Sequence, residues 1–177
     1  MEPEEGVSAI QIAAAAVAAM PLGRIDERTT ANVGRIEGGV AVNIVPAVVT
    51  LMGECRSLYE DRVLAQRDAM TRALEEAAAR FGGQVEVAWE LDYPAVVHEP
   101  GDAIVAHLEA AAATCGLESR HATSGGGADA NILGMKGADA ITLGIGMTNF
   151  HSVDEYIEVA DLQNMARYVE AIIAEYA

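Results

Sequence analysis

The chain has 177 residues, 51% of them hydrophobic, with 11 lysines and arginines against 27 aspartates and glutamates for a formal charge of -16. That length buries a real core in one domain or two small ones, and the charge excludes nucleic acid as a partner, since the sequence holds no basic cluster to override the field. No run approaches the ~20 apolar residues that span a bilayer, the N-terminus is acidic where a signal peptide is basic, and Cys55 and Cys115 belong to no CxxC or nucleophile signature, so the expectation is a cytoplasmic protein off the membrane whose thiols are small buried hydrophobes.

Pro3-Glu4-Glu5 heads a segment with Val7, Ile10, Ala14, Val17 and Met20 at helical spacing, closed by Pro21 and Gly23, which predicts an opening helix. Thr29 to Glu37 is β-prone, Glu37-Gly38-Gly39 is a turn signal, and Val40 to Ser57 is rich in valine and isoleucine, with Pro46 at an edge or bend. Asp61 to Phe81 repeats its apolar side at Val63, Met70, Ala73, Leu74, Ala77 and Phe81 and stops at Gly82-Gly83, a helix. Val85, Val87, Trp89 and Leu91 alternate with Glu86, Ala88 and Glu90, the period of a strand with one buried face. The resulting α-β-β-α-β order is a split β-α-β-β-α-β sandwich without its first strand, so the chain is expected to begin inside a domain.

A second unit is expected after Pro94. Asp102 stands where it can cap a helix bearing Ile104, Leu108, Ala111, Ala112 and Cys115, with Gly116 as the stop. Gly125-Gly126-Gly127 leads into a short helix ending at Lys136-Gly137, then comes a strand over Ala140 to Ile145. Asp161 caps a last helix with Leu162, Met165, Val169, Ile172, Ile173 and Tyr176 on one side. About 80 residues with one or two strands make a thin α/β layer that needs a partner layer to cover it.

Candidate chemistry concentrates in the last third. A glycine triplet lets a backbone approach a ligand where any Cβ collides, or makes a tight structural turn. As a phosphate cradle it lacks GxxxxGK[ST], and Lys136 lies at the far end of the following helix. His151 follows a predicted strand end, where open sheets place ligands. It has no HxH, HExxH or cysteine pair beside it to complete a metal set. His98, His107 and His121 are scattered, with His107 read on the polar side of its helix and His121 at a charged strand end, both structural or solvent-facing. Arg56 closes a strand as an exposed tip or a guanidinium for a carboxylate, and Asn43 is a turn residue or a donor to substrate.

Three stretches then carry a likeness: Thr29-Thr30-Ala31-Asn32-Val33-Gly34 through Gly38-Gly39 and Asn43-Ile44-Val45-Pro46; Glu54-Cys55-Arg56-Ser57; and Gly-Gly-Gly-Ala-Asp-Ala-Asn at 125–131 through His151 to Glu155-Tyr156-Ile157. In this order and spacing the chain resembles the C-terminal half of the dinuclear-zinc peptidases that include peptidase T, carboxypeptidase G, aminoacylase and succinyl-diaminopimelate desuccinylase, and most of all the peptidase T-like branch. The resemblance implies an α+β protein: a ferredoxin-like lid and dimerisation domain over residues 1–93, lacking its first strand, followed by the C-terminal part of the catalytic α/β domain over 94–177. It implies that His151 is a zinc ligand, that Gly125, Gly126 and Gly127 lie along a bound peptide, that Asn43 and Arg56 hold the substrate through its carboxylate, and that Asp129 is a buried aspartate supporting the site. The family's other ligands, the aspartate bridging its two zinc ions and the glutamate general base belong to an N-terminal segment, and the lid's first strand with its His-Ala-Gly falls before Met1. None of the residues present is then catalytic, and the chain alone is expected to bind zinc weakly or not at all and to hydrolyse nothing. The expected partners are a small peptide and a second copy joined through the lid. The alternatives are a non-catalytic dimerisation or peptide-binding module and, more remotely, a phosphate-binding α/β protein.

Overall fold

The structure is a computed structural model describing residues 2–176, with the side chains of Pro3 and Tyr176 outside the description. The chain divides after Ala95 into two compact units. The first is α+β, with a 3-10 turn at Pro3–Glu5, helix α1 (Ala9–Ala19), strands β1 (Gly23–Arg24), β2 (Thr29–Gly38) and β3 (Val49–Ser57), and helix α2 (Glu60–Phe81). The second carries α3 (Ala103–Thr114), α4 (Asp129–Met135) and α5 (Val159–Tyr176).

Ser8 starts α1, its hydroxyl accepting from the Gln11 N–H at 3.4 Å, and Met20 ends it ahead of Pro21, whose ring disfavours helix in the residue before it. Sequence spacing put Val7, Ile10, Ala14, Val17 and Met20 inward, and of these Met20 is buried and Val17 half-buried. The buried side is Ile12, Ala13, Ala16 and Met20, with Val7 and Ile10 exposed. A helix that is seven-elevenths alanine, with Gln11 its one polar residue, has no polar face to declare which side goes in, so packing against α2 decides. There the small Ala16 meets Ala73, Ala77 and Ala78 around Met70. The buried Gln66 of α2 donates to the Pro21 carbonyl at 2.7 Å, tying the second helix to the exit of the first.

The sheet is antiparallel in the order β1-β2-β3, β1 being a two-residue strand with no sequence signal of its own. Ala31 stands opposite Cys55, Thr30 opposite Arg56 and Asn32 opposite Glu54, and the register shifts once between Val33 and Arg35 at a bulge on Gly34. With a side-chain period of two, Thr29 (1% exposed), Ala31 (2%), Val33 and Cys55 turn to the helices, and Asn32 and Arg56 face outward. At the end of the ladder the Thr29 and Ser57 hydroxyls bond at 2.9 Å. Strand β3 begins at Val49, so residues 39–48 are a loop where the valines had promised more strand. Pro46 supplies no N–H for a ladder, and its carbonyl instead accepts from the Ala9 N–H at 2.9 Å.

α2 ends where its glycines predict, Gly82 taking φ 75 and the Gly83 N–H reaching the Ala78 carbonyl at 2.9 Å. The predicted strand over Val85–Leu91 joins no ladder among the described residues. The segment is held by side chains: Val85 packs on the α1–α2 core, and the Trp89 indole donates to the Thr71 hydroxyl at 3.0 Å.

In the second unit Val105, Leu108, Ala111 and Ala112 of α3 are buried, and α5 is fastened to α3 by the Tyr168 hydroxyl donating to the Leu108 carbonyl at 2.9 Å. Burial raises the Tyr168 hydroxyl pKa above its ordinary value. Asp102 precedes α3 as expected, yet its carboxylate accepts from the Glu99 N–H at 2.9 Å and closes the preceding turn. α5 starts two residues before Asp161, which takes a first-turn position favourable to an anion. On the predicted face of α5, Met165 and Ile172 are half-buried while Leu162, Val169 and Ile173 are exposed, and the Tyr176 side chain lies outside the description. The segment 140–145 alternates as a strand does, Ile141, Leu143 and Ile145 half-buried and Thr142 and Gly144 exposed, but forms no ladder among the described residues.

Met70, 2% exposed, sits at the centre of the first unit's core. Met70→Ala is expected to cost about 2–5 kcal/mol in urea unfolding, whereas Met52→Ala, on the exposed side of β3, should stay within about 0.5 kcal/mol.

Candidate functional site

In the second unit the chain leaves residues 140–145 through Gly146, whose φ of 86° and approach to Asp161 leave no room for a side chain, since a Cβ there would lie 2.8 Å from the Asp161 Cβ. Thr148 and Tyr156 then exchange both backbone hydrogen bonds, at 2.8 and 3.1 Å, closing a loop. Inside it the Asn149 carbonyl accepts from the Ser152 N–H at 3.1 Å and the Ser152 hydroxyl at 2.7 Å. Asn149 and His151 both adopt left-handed backbone, with φ 55° and 66°. The His151 N–H donates to Glu155 Oε2 at 2.8 Å, and its ring meets Phe150 edge-on with centroids 5.2 Å apart. The imidazole is exposed.

The glycine triplet lies in an exposed loop ahead of α4. The Gly126 N–H donates to the Ser124 hydroxyl at 3.2 Å, and a Cβ at Gly125 would meet nothing within 4 Å. At the start of α4 the Asn131 side chain accepts from the Ala128 N–H at 2.8 Å, half of a capping box. Asp129 is exposed, against the expectation of a buried support. One residue on, Ala130 takes the inward position of this short helix, and Asp129 stays in its first turn where a carboxylate complements the N-terminal dipole.

Asn43 and Arg56 belong to the first unit, and Gly125–Gly127, Asp129 and His151 to the second. Asn43 is exposed in the loop between β2 and β3. Arg56 lies on the open face of β3 with its Nε on Glu54 Oε2 at 2.5 Å, and this hydrogen bond, before any longer-range charge, raises the guanidinium pKa further above its usual value. Glu54 is a participant that residue-type searching missed. Its signal is an acid two positions before the arginine, a spacing that puts both on one side of a strand.

The remaining histidines serve the second unit's scaffold. His98 has Nε2 on the Ala140 carbonyl at 2.9 Å, and His121 pairs with Glu109 at 2.9 Å. His107 is not on a polar face, for its Nε2 lies 3.1 Å from the Ile172 carbonyl and its Nδ1 3.5 Å from Glu175. Burial and the Glu54 carboxylate raise the Cys55 thiol pKa, as befits a packing thiol. Among the described residues no group of three or more His, Cys, Asp or Glu side chains is disposed to hold a metal ion, and no helix is long and apolar enough to cross a membrane.

Residues 1–81 match the family model of the peptidase dimerisation domain. Over 177 residues, all of this chain and 48% of the relative, the sequence is 45% identical to the uncharacterised protein YqjE of Bacillus subtilis (strain 168). Its structure superposes on aminopeptidase PepT from Bacillus cereus ATCC 10987 with a TM-score of 0.89 at 42% identity, covering 99% of this chain and 47% of the other. On a tripeptidase from Staphylococcus aureus subsp. aureus Mu50 the TM-score is 0.90 at 39% identity, covering 97% and 46%. The chain spans about half the length of these relatives.

Two glycine substitutions separate a position the scaffold requires to be glycine from one it does not. Gly146→Ala is expected to destabilise the second unit by about 1–3 kcal/mol in thermal unfolding, through positive φ and the clash with Asp161. Gly125→Ala, with open space for its methyl group, is expected to leave the melting curve within about 0.5 kcal/mol of wild type.

Proposed function

We propose, from the match of residues 1–81 to the peptidase dimerisation-domain model, that the chain forms the lid and the closing part of the catalytic domain of a peptidase T-like aminopeptidase acting on small peptides. The observation that carries this is its close structural match, over nearly its whole length, to an aminopeptidase and a tripeptidase. In this reading Arg56 grips a peptide carboxylate with a planar fork of donors, Asn43 adds an amide donor from the loop before β3, and the side-chain-free backbone of Gly125–Gly127 lies along the peptide. His151 offers one ring nitrogen to a metal. Residues 1–81 join two copies, as the family's name supports. Work in the cytoplasm is supported by two cysteines left unpaired.

Zinc is held by three or four protein ligands, and the described residues of this chain do not supply such a set. The donor set therefore does not fit a complete metal centre, and the chain's own contribution to the reaction is binding and orientation. The same observation favours a second reading, a peptide-binding module without catalysis.

Co-expression with the N-terminal half of the Bacillus cereus aminopeptidase distinguishes the two. Tripeptide hydrolysis that needs both polypeptides, is lost in His151→Ala and shows a KM about tenfold higher in Arg56→Ala supports the enzyme, the factor being that of one charged hydrogen bond. Binding of a tripeptide without hydrolysis supports the module. Zinc titrated calorimetrically into the metal-free chain alone is expected to give no tight stoichiometric site, and a tight site with peptidase activity overturns the reading.

A further inference from the structure

We propose that Glu155 is a positioning residue: its carboxylate clamps the backbone of His151 in the left-handed conformation and so fixes the direction in which the imidazole is presented. The inference deepens the reading of His151 as a ligand and rests on it for its purpose, though not for its geometry.

Left-handed backbone is disfavoured for any residue with a Cβ, because that atom crowds the following carbonyl. Asparagine tolerates it comparatively well, which accounts for Asn149 at φ 55°. Histidine visits this region more often than most residues but still at a cost, so φ 66° at His151 persists where the surrounding loop holds it. The loop supplies that hold. Its stem is fixed by the paired Thr148 and Tyr156, and its first turn by the two Ser152 bonds to the Asn149 carbonyl. The Glu155 N–H is anchored on the Ser152 carbonyl at 3.3 Å, which places the side chain to receive the His151 N–H at 2.8 Å. A charged acceptor makes that bond stronger than a neutral one would. The ring itself stays exposed, steadied by the Phe150 edge. An imidazole meant only as surface covering has no use for a strained backbone held by a carboxylate, whereas a ligand has, because it binds only if its nitrogen points correctly.

The test is amide exchange and 15N relaxation on the intact chain, neither of which involves metal or peptide. In Glu155→Ala the His151 amide should exchange at least about tenfold faster and its order parameter fall from about 0.85 to below about 0.6. Glu155→Gln, which keeps a carbonyl acceptor, should hold exchange within about threefold of wild type. If Glu155→Ala fails to fold, Glu155→Gln and His151→Gly decide. In His151→Gly the added Glu155→Gln change should leave exchange at position 151 unaltered, since glycine takes this conformation without help. Unchanged exchange in Glu155→Ala, or equal loss in Glu155→Ala and Glu155→Gln, overturns the clamp. Activity that survives His151→Ala in the two-part enzyme overturns the ligand reading and leaves the clamp standing on its exchange data.

Discussion

The antiparallel pairing that sets Ala31 against Cys55 governs what the first unit hides and what it offers. A slip of one residue would turn Asn32, Glu54 and Arg56 onto the helices and expel Thr29 and Ala31, burying charge at a cost of several kcal/mol. Three local features hold the register. The Thr29 and Ser57 hydroxyls bond at one end of the ladder. Gly34 absorbs an extra residue as a bulge beyond Val33. Gly53 lets the strands approach under Met70, where a Cβ would lie 2.8 Å from the Asn32 carbonyl oxygen. With these in place α1 and α2 cover one face of the sheet, and the other face keeps its charged groups in water.

The second unit shows that alternation of side chains and possession of a ladder are separate requirements. Residues 140–145 half-bury Ile141, Leu143 and Ile145 and expose Thr142 and Gly144, as a half-covered strand does, yet pair with no neighbour among the described residues. Leu162, Val169 and Ile173 stand exposed along α5. Contiguous apolar surface of that kind commonly marks a face that another layer covers, and on the proposed reading a further layer of the catalytic domain supplies it. The His151 loop needs no such help. Its hydrogen bonds close within residues 148–156, so its shape is a local property of sequence.

What the sequence made legible followed from strong local signals. The repeat from Val63 to Phe81 and the pair Gly82-Gly83 fix α2, because core periodicity and a left-handed stop coincide there. β-Prone composition likewise marked the strands bearing Asn32 and Arg56. The rest depended on partners far along the chain. The buried side of α1 was misread because alanine packs inward or outward at nearly equal cost until α2 is present. Val85–Leu91 has the pattern of a strand, but pattern cannot supply a neighbour. Asp129 was expected inside by analogy, and one residue of helical rotation puts Ala130 there instead. Glu54 and Glu155 escaped notice as individuals because acids are abundant in a chain with 27 of them, and only geometry distinguishes the two that hold a candidate residue from the many that are solvated.

That abundance bears on the proposed recognition of a carboxylate-bearing ligand. A chain of net charge -16 repels an anion at long range and attracts a cation, so the small peptide of the proposed reading, with one charge of each sign, would approach with its amine favoured and its carboxylate opposed. The opposition has to be overcome locally. Arg56 is already engaged by Glu54, but both side chains are about half exposed, at 50% and 45%, and an ion pair in such surroundings is worth little. Exchanging one carboxylate partner for another, or sharing the fork between them, therefore costs little. Meanwhile the existing pair keeps the long arginine side chain ordered on the open face of the sheet, so less conformational entropy is lost when a ligand arrives. On the proposed reading, Glu54 thus lowers the local positive charge while keeping the guanidinium that carries it ordered, a balance suited to weak, exchangeable binding of a carboxylate.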